Sequence, residues 1–167
     1  AVMGCCLAYW ALNAAYTFKL KRLPYVDALC IALGFELRIL VGSQSAGIPI
    51  SPALHAMTLS VATYLALSKR LHEIRLDPGG EGRSVLGAYS VGGLRRAVAA
   101  LSVLTLALYA YYVVAGGGPA VRHAPAVWLS WPAAALGVWR FAKLTLSEDA
   151  RPPTDRMLRD PLTLLAA

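Results

Sequence analysis

The densest group of side chains able to do chemistry lies in LALSKRLHEIRLDPGGEGR, Leu65 to Arg83, where a long apolar segment runs straight into charges. Lys69, Arg70, Glu73 and Arg75 fall within two turns of one expected helix, and Lys69 and Glu73, four residues apart, share a face. Cations beside a carboxylate at the end of an apolar helix stand at the lipid–water boundary. There an anionic lipid headgroup would meet a water-soluble phosphate substrate. The same charges would equally serve to anchor a helix end.

A second set sits in PYVDALCIALGFELRIL, which contains Asp27, Glu36 and Arg38. Charges inside an apolar segment are costly, so they are expected to face a polar cavity or a partner rather than lipid. Asp27 and Arg38 are eleven residues apart. That is close to three turns and puts both on one face about 16 Å apart. Gly34 lies on the same stripe and allows close approach of a ligand or a neighbouring helix. Glu36 points elsewhere and has no assigned role. The plainer reading lets Arg38 snorkel to the far interface and leaves Asp27 among headgroups. Just upstream, Lys19, Lys21 and Arg22 would hold phosphates, Arg with its planar fork; anchoring of a helix end explains them as well. Near the end of the chain PPTDRMLRDPL groups Asp155, Arg156, Arg159 and Asp160, with Arg156 and Asp160 at the spacing of an ordinary helix-surface pair.

The elements that must position these residues are apolar. Of the 167 residues 57% are apolar and 15% charged, and the mean hydropathy of +0.55 lies outside globular usage. Five segments approach the length of about 20 residues that a bilayer crossing needs: Ala1–Phe18, Tyr25–Gly42, Pro52–Ser68, Ala97–Ala115 and Pro125–Ala142. Pro161–Ala167 reads as the start of a sixth. The expected fold class is therefore all-α, a multi-pass integral membrane bundle. If the chain crosses five times in alternation, 14 of the 16 Lys and Arg fall on one side, which the positive-inside rule makes cytoplasmic. This clustering also disposes of nucleic acid as the reason for the net charge of +7.

Other chemistries find no support. His55, His72 and His123 have no ligand spacing relative to one another, and no Walker motif, Gly-rich nucleotide fold or nucleophile elbow is present. Cys5, Cys6 and Cys30 sit in apolar runs as small hydrophobes. Tyr9, Trp10, Tyr111, Tyr112, Trp128 and Trp131 read as interface belts or packing, and Asn13 as a hydrogen bond to another helix. The glycines of DPGGEGR would serve a lid or simply a helix connection. No short apolar core follows a charged n-region, so no signal peptide is expected.

Taken together, YTFKLKRLPYVDALCIALGFELRILVG, SPALHAMTLSVATYLALSKRLHEI and the following R…LGAYS resemble the UbiA superfamily of intramembrane prenyltransferases. The resemblance covers Tyr16 to about Tyr89 and resumes at PPTDRMLRDPL. Where most UbiA-like enzymes carry a second Asp-rich motif, this chain has Lys69, Arg70 and Glu73 in the Lys-Arg-x-x-Glu pattern of the phosphoribosyl-transferring branch. The superfamily's first Asp-rich motif, Asn-Asp-x-x-Asp-x-x-x-Asp, does not occur, and Glu36 stands where an apolar residue is expected. Residues 1–167 are accordingly expected to be one transmembrane domain, the C-terminal portion of a UbiA-like fold incomplete at both ends and inactive alone.

The resemblance implies a transferase that moves 5-phosphoribose from phosphoribosyl pyrophosphate to a polyprenyl (decaprenyl) phosphate, making a precursor of cell-wall arabinan. It implies Mg²⁺ as cofactor, held in part by Asp27 and Glu73, which are also the implied catalytic pair. The implied substrate-binding residues are Lys19, Lys21, Arg38, Lys69, Arg70, Arg83, Tyr89, Arg156 and Arg159. The implied location is a bacterial plasma membrane with the site facing the cytoplasm; homo-oligomerisation is left open. Prenyl transfer to an aromatic or glycerol-phosphate acceptor is the nearest alternative, and a transport or assembly subunit whose charges only anchor helices is another. The enzyme reading expects Asp27, Arg38, Lys69 and Glu73 to converge on one cavity; the anchoring reading expects them to diverge.

Overall fold

The computed structural model describes residues 2–76, 86–116 and 125–147. Among these residues the chain is all-helical, with five helices and no strand: α1 (Val2–Phe18), α2 (Val26–Ala46), α3 (Pro52–Leu76), α4 (Val91–Tyr111) and α5 (Pro125–Leu146). Each occupies one of the five expected apolar segments. Helices α2, α3 and α5 run past the expected ends, and α4 begins six residues before the expected Ala97, where the Ser90 cap starts its first turn.

The boundaries follow local chemistry. Pro52 opens α3 with the Ser51 hydroxyl accepting from the Leu54 amide at 3.2 Å. Ser90 caps α4 by accepting from the Gly93 amide at 3.3 Å. At the end of α2, Gly47 takes the left-handed conformation (φ 68°) that closes a helix at little cost, and the Ile48 amide reaches back to the Ser43 carbonyl at 3.1 Å.

Helix α3 is the centre of the arrangement, packed against α2, α4 and α5, while α1 lies on α2. Small side chains let these helices approach: Ala28, Ala32 and Gly34 on α2, Ala53, Ser60, Ala62 and Ala66 on α3 are all buried. Around them Tyr64, Leu67, Leu71, Tyr89, Leu94, Val98 and Phe141 form the core. Helix α1 buries no residue, and its Met3, Leu7, Trp10 and Phe18 are all exposed.

Among the described residues only Val91–Val114, α4 with its π-helical continuation, is clearly both long and apolar enough to cross a membrane. Helix α1 is apolar but has 17 residues, α2 is interrupted by Asp27, Glu36 and Arg38, and α3 ends in a charged cluster. Cross-helix contacts bring the start of α2, the end of α3, the start of α4 and the end of α5 together at one end of the bundle. The contacts are Asp27–Arg70, Tyr25–Tyr89, Arg75–Thr145 and Arg95–Leu146. The end of α3, the start of α4 and the end of α5, whose basic residues the sequence assigns to one side, thus share one end.

Candidate functional site: a buried ionic centre at the basic end

Asp27 is wholly buried and Arg70 is 1% exposed. A carboxylate and a guanidinium taken this far from water persist only if each satisfies the other and the remaining donors and acceptors are also paired. They are. Arg70 Nε donates to Asp27 Oδ2 at 2.5 Å. The other oxygen, Oδ1, accepts from the Ala28 amide at 2.8 Å and from the Tyr89 hydroxyl. Arg70 Nη1 donates to Glu73 Oε2 one turn further along α3. Glu73 is a quarter exposed, and its Oε1 lies 4.0 Å from Lys69 Nζ, whose side chain is 68% exposed. The centre therefore runs from a dry pair at Asp27–Arg70 to a wet edge at Glu73–Lys69.

Three elements build it. The first turn of α2 presents Asp27, the last turns of α3 present Arg70 and Glu73, and the segment leading into α4 supplies Tyr89. Tyr89 does more than donate: its oxygen accepts the Tyr25 amide at 2.6 Å, and the two rings meet edge to face at 4.7 Å. Tyr25 starts α2 with φ 63°, a conformation that a side-chain-bearing residue adopts only when neighbours impose it. Burial first, and then the hydrogen bond to Asp27, hold the Tyr89 hydroxyl well above the usual phenol range, so it stays a donor. On the far side of α3, Arg75 donates to the Thr145 and Ser147 carbonyls, both at 2.6 Å, and Arg95 to Leu146 at 3.4 Å. Two arginines thus cap the end of α5 against its unpaired carbonyls and place it beside the centre.

The expected site residues divide accordingly. Asp27, Arg70, Glu73 and Tyr89 come together, with Lys69 at the rim. Tyr89 is buried and spends its hydroxyl on Tyr25 and Asp27, so it positions the centre instead of facing a substrate. Arg38 does not join them. It is exposed and packs on α1, with Nη2 donating to the Tyr9 hydroxyl at 2.5 Å and the guanidinium carbon 5.1 Å from the Tyr9 ring centroid. Convergence of all four residues on one cavity is thus corrected for Arg38, because α1 and not α3 covers that part of α2. Lys19 is exposed and Lys21 half-buried in the 3-10 turn Leu20–Arg22 that leads to α2. Arg83, Arg156 and Arg159 lie outside the described residues, as does the glycine-containing connector.

The arrangement also bears on Mg²⁺. Both oxygens of Asp27 are occupied inside the protein and one oxygen of Glu73 is bound by Arg70, which leaves no shared pair of open carboxylate oxygens. Among the described residues no group of three or more His, Cys, Asp or Glu side chains is placed to hold a metal ion. The described side chains therefore do not fit the divalent cation that the resemblance implies at Asp27 and Glu73.

Sequence reasoning missed the partner of Glu36. It is His55 Nδ1 on α3, in a contact that closes the other end of the α2–α3 interface while Glu36 Oε2 stays buried without a partner. The nineteen-residue separation carries no helical signal; only the antiparallel pairing of α2 and α3 brings the two together.

A chain that is helical in its described residues, with one helix among them clearly long and apolar enough to cross a membrane and a buried ionic centre at its basic end, is the class that these observations define. No family model matches it. It is similar to the uncharacterized protein y4nM of Sinorhizobium fredii, 40% identical over 62 residues that make up 37% of this chain and 12% of that protein. It is also similar to the decaprenyl-phosphate phosphoribosyltransferase of Corynebacterium glutamicum, 33% identical over 89 residues, 52% of this chain and 27% of that enzyme. The matched stretches thus span about an eighth and about a quarter of the relatives' own lengths. The second similarity is distant; it points toward the UbiA-like family and is consistent with a transferase.

Proposed function

We propose that the chain is part of a membrane transferase that moves 5-phosphoribose from phosphoribosyl pyrophosphate to a polyprenyl phosphate. In this reading all five helices cross the plasma membrane of a bacterium, with the basic end in the cytoplasm. The observation that carries it is the graded ionic centre: a dry Asp27–Arg70 pair that fixes the helix ends, and a wet Glu73–Lys69 edge beside it. The named similarity to a decaprenyl-phosphate phosphoribosyltransferase supports the choice of donor and acceptor.

As the bond from ribose C1 to pyrophosphate breaks, positive charge develops on the sugar and negative charge on the leaving group. Lys69, with its ammonium in solvent at the rim, meets the leaving anion, and Lys19 and Lys21 add to the same field from the turn before α2. Arg70 does not reach out; held by Asp27 and Glu73, it sets the position of Glu73 and through it the rim. Glu73 faces the developing positive charge of the sugar. The acceptor phosphate is already an anion, so the reaction needs no general base.

The test uses the full-length protein with radiolabelled phosphoribosyl pyrophosphate and polyprenyl phosphate, counting label in the lipid phase. Lys69→Ala and Glu73→Gln are expected to lower turnover about 10²-fold or more. Lys143→Ala, a cation stacked on Trp139 and outside the centre, is expected to leave it within a few-fold. Equal losses at all three positions would remove the centre from the mechanism. Transfer from an isoprenyl diphosphate to a small acceptor, without lipid labelling by the ribosyl donor, would establish the prenyltransferase alternative instead.

A further inference from the structure

Arg38 is the charge that the ionic centre leaves over. Its guanidinium lies on the α1–α2 pair beside exposed aromatic side chains, Trp10 at 74% and Phe35. Among the described residues no carboxylate lies within ion-pair distance of it, and it donates to the neutral Tyr9 hydroxyl. Nor does it reach outward. Helical side chains lean toward their own N-terminus, and Arg38 does so, lying 5.2 Å from the ring centroid of Phe35, three residues back. The charge is thus turned along the groove and away from the nearer end of the helix. A cation fixed in an apolar setting calls for an anion.

The groove beneath it has two parts that meet at Tyr9 and Arg38. One, about 120 Å³, is edged by Asn13, Tyr16 and the bare backbone of Gly34, and descends to Cys30, one turn from Asp27. The other, about 270 Å³, runs between Trp10, Leu37 and Val41 and is almost wholly apolar. Because the Tyr9 oxygen accepts from Arg38, its own hydrogen is available as a second donor. A charged fork and a phenol O–H at the junction of a mixed groove and an apolar one match a ligand with one compact anionic head and a long hydrocarbon chain.

We propose that this groove binds a phosphorylated long-chain lipid, its phosphate on Arg38 and Tyr9 and its chain between Trp10 and Leu37. This binding does not rest on the transferase reading: Arg38 stands three turns along α2 from Asp27 and on the α1 side, so a lipid held there is distinct from an acceptor at the Glu73–Lys69 rim. Arg38 is assigned to the lipid phosphate and not to the water-soluble donor.

Binding is measured directly on the full-length protein in detergent, without catalysis. Farnesyl phosphate, farnesol and inorganic phosphate are titrated in turn, following Trp10 fluorescence with Trp10→Phe as the signal control. Farnesyl phosphate is expected to bind at least tenfold more tightly than either of the others, since only it carries both head and chain. Arg38→Gln is expected to weaken farnesyl phosphate at least tenfold and leave farnesol unchanged, while Arg38→Lys keeps an intermediate affinity. Arg38 is exposed, so the helical circular dichroism of both variants should match the parent. Equal binding of farnesyl phosphate and farnesol, equal binding of inorganic and farnesyl phosphate, or an unaffected Arg38→Gln would each overturn the proposal. If the protein binds farnesyl phosphate through Arg38 yet labels no lipid with phosphoribose, the lipid site stands and the proposed reaction falls.

Discussion

Asp27→Asn tests whether the ionic centre holds the helix ends together. The substitution keeps the shape of the side chain and removes its charge in a place with no access to water. Breaking a buried pair by taking away one partner costs about 3–5 kcal/mol, chiefly because the survivor stays buried and uncompensated. Here Arg70 keeps Glu73, so the lower end applies, about 3 kcal/mol, which lowers the folded-to-unfolded ratio more than about 100-fold. Arg70→Met is expected to cost a similar amount, because it leaves Asp27 with only the Tyr89 hydroxyl and one amide. The double variant should be less damaging than the sum of the singles by about 1–3 kcal/mol, since no unpaired ion remains. The assay is reversible unfolding of the full-length protein in mixed micelles by increasing dodecyl sulfate, followed by circular dichroism. Asp27→Asn within about 0.5 kcal/mol of the parent, together with strict additivity in the double variant, would refute the claim that this pair is buried and mutually dependent.

Tyr89 makes the centre sensitive to alkali. A free phenol titrates near about pH 10, and here burial and the Asp27 hydrogen bond raise it, so above that pH the folded protein keeps a proton that the unfolded chain has lost. Its stabilisation is complete below about pH 10 and is lost as pH rises toward the folded value; the difference in unfolding free energy between parent and Tyr89→Phe should shrink over that range. A difference constant from pH 8 to 11 would contradict this. At the α3–α4 interface the Ser60 and Thr105 hydroxyls meet at 2.9 Å. Ser60→Ala should cost about 1 kcal/mol, and its cycle with Thr105→Val should show a coupling near about 0.6 kcal/mol; zero coupling in the same micelle titration would mean that each hydroxyl finds another partner.

The helices were legible because each is an apolar run bounded by Pro, Gly or a cap, as with Pro52 after Ser51 and Gly47 after α2. What the spacing could not supply was pairing between helices. Arg70 and Glu73 are three apart and their contact is local, but Asp27 reaches Arg70 across 43 residues and Tyr89 across 62. Nothing in a single helical period reports such partners. Tyr25 is hidden for a related reason: its positive φ is imposed by Tyr89, a residue from another element, and tyrosine is not a residue type that announces a left-handed turn.

Asp27 and Arg38 show how a correct periodicity can still mislead. Eleven residues do bring both side chains to nearly one face of α2, yet one is fully buried and the other exposed. The face is continuous; its covering is not. Near the start of α2 the end of α3 and the segment entering α4 close over Asp27, whereas three turns later the same stripe lies against α1, whose residues are all at least partly exposed. A helix stripe therefore fixes direction without fixing environment, and environment decides what a charge can do. Asp27, dry and matched by Arg70, holds structure. Arg38, exposed and unmatched by any described carboxylate, is left with its charge available to a ligand.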